Sequence, residues 1–129
     1  MGSAGMTDVL VVEDDLLIAD DIMATLETAG YDVIGPARSA CEALDIAAAH
    51  PPDIAVLDIR IDGPVDGIDL AWALKAAGIT AIIFVSGSGE PSTLNRAREV
   101  HPVAFLHKPL APGQLVASMH KALAPATLP

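Results

Sequence analysis

Val9-Leu10-Val11-Val12-Glu13-Asp14-Asp15 is the stretch that decides the fold. Four apolar residues, three of them β-branched, run without a polar break and then meet three acids. A short, unbroken apolar run suits a strand buried on both faces, as in a parallel sheet covered by helices. Ile54 to Leu57, Ala81 to Val85 and Val103 to Leu106 repeat the theme. Tyr31 to Ile34 is more polar and reads as an edge strand.

Segments of helical period separate these runs. Ile18, Ile22, Leu26 and Ala29 share one face, and Gly30 supplies the stop. Ser39 and Glu42 read as a capping box opening a helix through Leu44 and Ala47, which ends before Pro51-Pro52. Leu70, Leu74 and Ala77 align in a third helix closed by Gly78. Pro91 suits a first helical position, with Leu94 and Ala97 following. Pro112 opens the last helix, along which Leu115, Met119 and Ala122 align. Regular alternation of strand and helix implies parallel strands joined by right-handed crossovers. The expected fold is an α/β, doubly wound (βα)5 open sheet, which binds ligands at the carboxyl ends of its strands.

The bulk composition agrees. A chain of 129 residues suggests one domain, large enough for a core without disulfides. Aromatics are only 3%, so Val, Ile, Leu and Ala must build that core, and Trp72 reads as helix packing. The lone Cys41, set among small residues, reads as a buried hydrophobe. A net charge of -10 disfavours direct binding to nucleic acid or an anionic membrane. No signal peptide or run of transmembrane length is visible, so a cytoplasmic location is expected. Residues 1–6 look like an expression-tag remnant, 7–124 form the domain, and 125–129 read as a C-terminal tail.

Chemistry gathers where the strands end. The first ends in Glu13-Asp14-Asp15, the third in Asp58, the fourth in Ser86 and the fifth in His107-Lys108-Pro109. In parallel neighbours these ends meet. Carboxylates held close either share protons or bind a cation. Oxygen ligands favour a hard ion such as Mg²⁺. Asp58, at the centre, can act as a nucleophile towards phosphorus, with Lys108 and the metal offsetting charge and Ser86 donating a hydrogen bond.

The acids in VLVVEDD (9–15), Asp58 in AVLDIR (55–60), Ser86 in FVSG (84–87) and Lys108 in FLHKPL (105–110) make the chain resemble the receiver domain of two-component response regulators. The resemblance runs from Thr7 to Leu123. It implies the flavodoxin-like fold with strand order 2-1-3-4-5 and a phosphoacceptor role for Asp58. It also implies Mg²⁺ held by Glu13, Asp14, Asp58 and the backbone carbonyl of Arg60. Asp15 ranks below the preceding pair. Ser86 and Phe105 match the switch positions, Ser86 and Lys108 contact phosphate, and Pro109 follows a cis peptide. The implied partners are a sensor histidine kinase or a histidine phosphotransfer protein. Phosphorylation would alter the face formed by the fourth helix, fifth strand and fifth helix, through which a homodimer could also form.

Other readings stand beside this one. An aspartate-nucleophile phosphatase needs a second acid two residues after the nucleophile, where this chain has Arg60. A signalling phosphoacceptor rather than an enzyme is therefore expected. A pseudo-receiver, binding partners without taking phosphate, would lack an acid, the acceptor or the lysine, all present here. The sequence carries no output domain, and a receiver fragment of a hybrid kinase remains an alternative. His50, His101 and His120 read as surface residues, and His107 as a strand residue at the sheet end.

Overall fold

The computed structural model describes residues 7–87, 89–111 and 113–123. Five strands alternate with five helices among them: β1 (Asp8–Val12), α1 (Leu16–Thr28), β2 (Asp32–Ala37), α2 (Ala40–Ala49), β3 (Ile54–Asp58), α3 (Gly67–Ala76), β4 (Ala81–Ser86), α4 (Pro91–Glu99), β5 (Ala104–His107) and α5 (Gln114–Leu123). The strands form one parallel sheet in the order β2-β1-β3-β4-β5, as expected. Because β2 lies on one side of β1 and β3 on the other, the direction of strand order reverses at β1. That places a cleft at the carboxyl ends of β1 and β3.

The apolar runs are buried on both faces, as a doubly wound sheet requires. Leu10, Val12, Ala55, Leu57, Ile82 and Phe84 pack under α2, α3 and α4. Val9, Val11, Ile54, Val56, Ile83 and Val85 pack under α1 and α5. Adjacent strand residues thus alternate between two separate cores, which explains why no polar residue interrupts the runs.

Several expectations need correction. Ala29 and Ala77 are exposed because they are the C-caps of α1 and α3, where the chain turns away. Ala19, not Ala29, joins Ile22 and Leu26 in the buried face of α1. Trp72 is 48% exposed, because Ile68, Leu70, Ala71 and Leu74 already fill the inward side of α3. Cys41 is exposed, facing away from the Ala40, Ala43 and Ala47 stripe of α2. Ser39 caps α2 as expected, but Glu42 accepts from Arg38 N at 3.0 Å rather than from Ser39, so the box is one residue wider.

Strand β2 also runs past the expected stop at Ile34, through Gly35-Pro36 to Ala37. The register against β1 shifts between Leu10 and Val12. Gly35 has φ +116°, and a Cβ there would lie 2.7 Å from Val11 O, so only glycine fits this irregularity. Pro91 does begin α4. Pro112, the 1–6 segment and the tail from 124 lie outside the described residues. Among the described residues, no helix is long and apolar enough to cross a membrane.

Candidate functional site

Beyond the last residue of β1, the chain spends its three acids differently. Glu13 N donates to Ala37 O at 2.9 Å, which prolongs the β1–β2 pairing and turns the Glu13 side chain inward, where it is only 1% exposed. Asp15 caps α1, accepting from Leu17 N and Ile18 N at 3.0 and 3.3 Å. Asp14, between them, stays half-buried and uncommitted to either element. The capping duty explains why Asp15 stands apart from the other two acids.

Asp58 ends β3, 6% exposed, and its Oδ1 accepts from Arg60 N at 3.2 Å. Ser86 ends β4, 1% exposed, and its carbonyl accepts from Lys108 N at 2.9 Å. That backbone bond ties the ends of β4 and β5 together, delivering the Lys108 side chain over the cleft. Lys108 Nζ lies 2.9 Å from Asp58 Oδ2 and 2.8 Å from Glu13 Oε1. The Lys108–Pro109 peptide is cis. Asp58, Arg60, Ser86, Gly87, Gly89, Glu90 and Lys108 line a cavity of about 480 Å³.

The electrostatics follow from burial. Desolvation pushes the Glu13 carboxyl up to about 7, and the neighbouring Asp58 carboxylate adds to the rise. The Lys108 ammonium and the Asp15 N–H oppose it. For Lys108, burial favours the neutral amine, but hydrogen bonding and attraction to Glu13 and Asp58 outweigh it, so its pKa lies above the ordinary lysine value.

Glu13 Oε1 is buried, with the Lys108 ammonium 2.8 Å away. Oxygens of Glu13, Asp14 and Asp58 all lie within 4.8 Å of one another. An all-oxygen set of three close carboxylates, two of them buried, suits a hard divalent cation.

Residues 9–120 match the model of the response regulator receiver domain. The chain belongs to that family. Receivers are signalling domains of two-component systems. This receiver is 30% identical over 115 residues to the transcriptional regulatory protein PdtaR of Mycobacterium tuberculosis, covering 89% of this chain and 56% of that protein. It is also 30% identical to the phyllosphere-induced regulator PhyR of Methylorubrum extorquens, over 91% of this chain and 43% of the relative. The chain thus spans about half the length of these curated relatives. Among solved structures, the signal receiver domain of a modulated diguanylate cyclase from Desulfovibrio desulfuricans G20 aligns with TM-score 0.83 and 39% identity, covering 92% of this chain and 94% of that one. The receiver domain of NarL from M. tuberculosis aligns with TM-score 0.81 and 28% identity, over 93% and 98%.

The fold thus brings together Glu13, Asp14, Asp58, Ser86 and Lys108, with Arg60 at the rim. Phe105 sits behind them, half-buried, its ring centroid 6.2 Å from that of Phe84 and 5.1 Å from that of His107. His50, His101, His107 and His120 are all exposed. Sequence reasoning missed Asp66, Gly67 and Arg96. Asp66 caps α3, and Arg96 of α4 reaches across to it at 2.9 Å. Nothing in the sequence pairs Arg96 with Asp66.

Proposed function

We propose that this receiver accepts a phosphoryl group on Asp58 from a sensor histidine kinase or a histidine phosphotransfer protein. The single observation that carries the reading is the Lys108 ammonium lodged between Asp58 and Glu13 at the mouth of the β1–β3 cleft. An Asp58 carboxylate oxygen attacks phosphorus. The bond from phosphorus to the donor's imidazole nitrogen breaks, its electron pair returns to the ring, and an acyl phosphate forms. Lys108 stays beside Asp58 and offsets the charge of the arriving phosphoryl oxygens. Ser86 supplies a hydroxyl to one of them.

Carboxylates of Glu13, Asp14 and Asp58, with the Arg60 backbone carbonyl, would hold Mg²⁺, which when bound neutralises charge on the phosphoryl oxygens. Once Asp58 is charged, Ser86 moves towards the phosphate and Phe105 turns into the space behind it. The surface of α4, β5 and α5 then changes for a partner or a second copy. Beside Lys108, a groove of about 430 Å³ is lined by Leu17, Ile18, Ile22, Pro109 and Leu110. Leu17 is 81% exposed there, which supports docking of the donor's histidine-bearing helix along α1. A cytoplasmic setting, where such donors are charged, fits this role.

Intact-protein mass spectrometry after incubation with acetyl phosphate and Mg²⁺ tests the reading. A single adduct that is abolished by chelator and by Asp58→Asn is expected. An undiminished adduct in Asp58→Asn would remove Asp58 as the acceptor. A folded protein that takes phosphate from neither acetyl phosphate nor any histidine donor would be a pseudo-receiver.

A further inference from the structure

We propose that Arg96 is the positioning residue that fixes α4 against the acceptor loop, so that α4 follows the state of Asp58. The inference rests on the phosphoacceptor reading and adds the route by which that state leaves the site. Within α4 only Ala97 is buried, with Val100 at its C-cap, so apolar packing holds this helix weakly. Its side-chain anchor is polar instead. Arg96 Nη1 lies 2.9 Å from Asp66 Oδ2, and Nη2 lies 3.4 Å from both Asp66 Oδ1 and Asp69 Oδ1. A two-pronged guanidinium–carboxylate contact sets orientation as well as distance.

The other side of this contact is rigid. Asp66 Oδ1 accepts from Ile68 N and Asp69 N at 3.0 and 2.9 Å, locking the first turn of α3. Gly67 follows directly and is pressed on the acceptor itself. Its N–H donates to Ile59 O at 2.7 Å, and a Cβ there would overlap Asp58 O. The backbone of Asp58 therefore touches Gly67, Gly67 adjoins Asp66, and Asp66 holds Arg96. Asp66 and Asp69 are partly solvated, so the pairs add little to global stability. Their effect falls on α4, whose apolar anchor is limited to Ala97 and the capping Val100.

Hydrogen exchange of α4 peptides, read by mass spectrometry with and without beryllofluoride and Mg²⁺, tests this on wild type, Arg96→Ala, Arg96→Lys and the swap Arg96→Asp/Asp69→Arg. Phosphoryl uptake from acetyl phosphate is followed in parallel. In Arg96→Ala, α4 should exchange about fivefold faster without the ligand, while β1 and β3 keep wild-type protection. The ligand-dependent change in α4 should vanish although Asp58 still takes phosphate. Lysine and the swap should each restore part of that change. Wild-type exchange and an intact response in Arg96→Ala would overturn the proposal. If wild type takes phosphate from neither acetyl phosphate nor a histidine donor, the phosphoacceptor reading falls, and the ligand-free comparison alone still decides whether Arg96 holds α4.

Discussion

Replacing Gly67 by alanine should cost the fold several kcal/mol, although local propensity predicts the opposite. Gly67 opens α3 with a backbone that an ordinary residue can adopt, since its φ is not among the positive ones. Alanine would gain about 1 kcal/mol of helix propensity and lower the entropy of the unfolded chain. Against this, its Cβ would overlap the Asp58 carbonyl oxygen and lie 2.8 Å from Ile59 Cα and 2.9 Å from Asp58 C. All three are backbone atoms at or just past the carboxyl end of β3, so no side chain can swing aside. Overpacking typically costs about 1–3 kcal/mol, and here, where rigid backbone must move, we take about 3–5 kcal/mol. We therefore expect a net loss of about 2–4 kcal/mol after the propensity gain is subtracted. With a urea slope of about 2 kcal/mol/M, the midpoint should fall by about 1–2 M. Gly87→Ala, where a Cβ meets nothing within 4 Å, is the control and should shift the midpoint little. A Gly67→Ala midpoint equal to or above wild type would refute the steric reasoning. Because two of the three contacted atoms belong to Asp58, the proposed acceptor, the variant should also take phosphate more slowly even where it remains folded.

Other perturbations probe the site and the core separately. Asp58→Asn should give no acetyl-phosphate adduct by mass spectrometry, while Lys108→Ala should take phosphate but lose most of the accompanying change in α4 exchange. The raised Glu13 pKa makes the folded chain bind a proton more tightly than the unfolded one, so the stability this group contributes is full below about 4.5 and is lost as pH rises through about 7. In chelator, thermal midpoints of wild type should therefore fall relative to Glu13→Gln between pH 5 and 8, and a constant difference would contradict the assignment. Leu26→Ala, on the fully buried face of α1, should cost about 2–5 kcal/mol in urea melts, and a cost below 1 kcal/mol would mean that the core closes over the gap.

Strands were legible because burial on both faces leaves a plain mark, an apolar run bounded by polar residues. The exception is β2, where Gly35-Pro36 reads as punctuation yet lies inside a strand at the sheet edge, where a missing N–H is tolerated. Helical periodicity located the inward faces but not their ends: Ala29 and Ala77 continue the spacing beyond the point at which the chain turns. Trp72 and Cys41 misled for a related reason, since residue type suggests burial while position on the helix forbids it. The acids, Ser86 and Lys108 were legible as a group because each follows a strand. The Arg96 contact was not, because it joins two helices across 30 residues of sequence and no periodicity encodes which surface arginine meets which cap.

All of this chemistry sits at one pole of the molecule. At the opposite pole, the turns after α1, α2, α3 and α4 bring the chain back to the amino ends of β2, β3, β4 and β5. Gly30 and Gly78 there have open space around them, and none of the site residues lies nearby in sequence. These turns are therefore the natural attachment points for a reporter. A fluorophore or a short epitope inserted after Gly30 or Gly78 would ride on the far end of the sheet, leaving the cleft and the α4 surface unencumbered for a live assay of signalling.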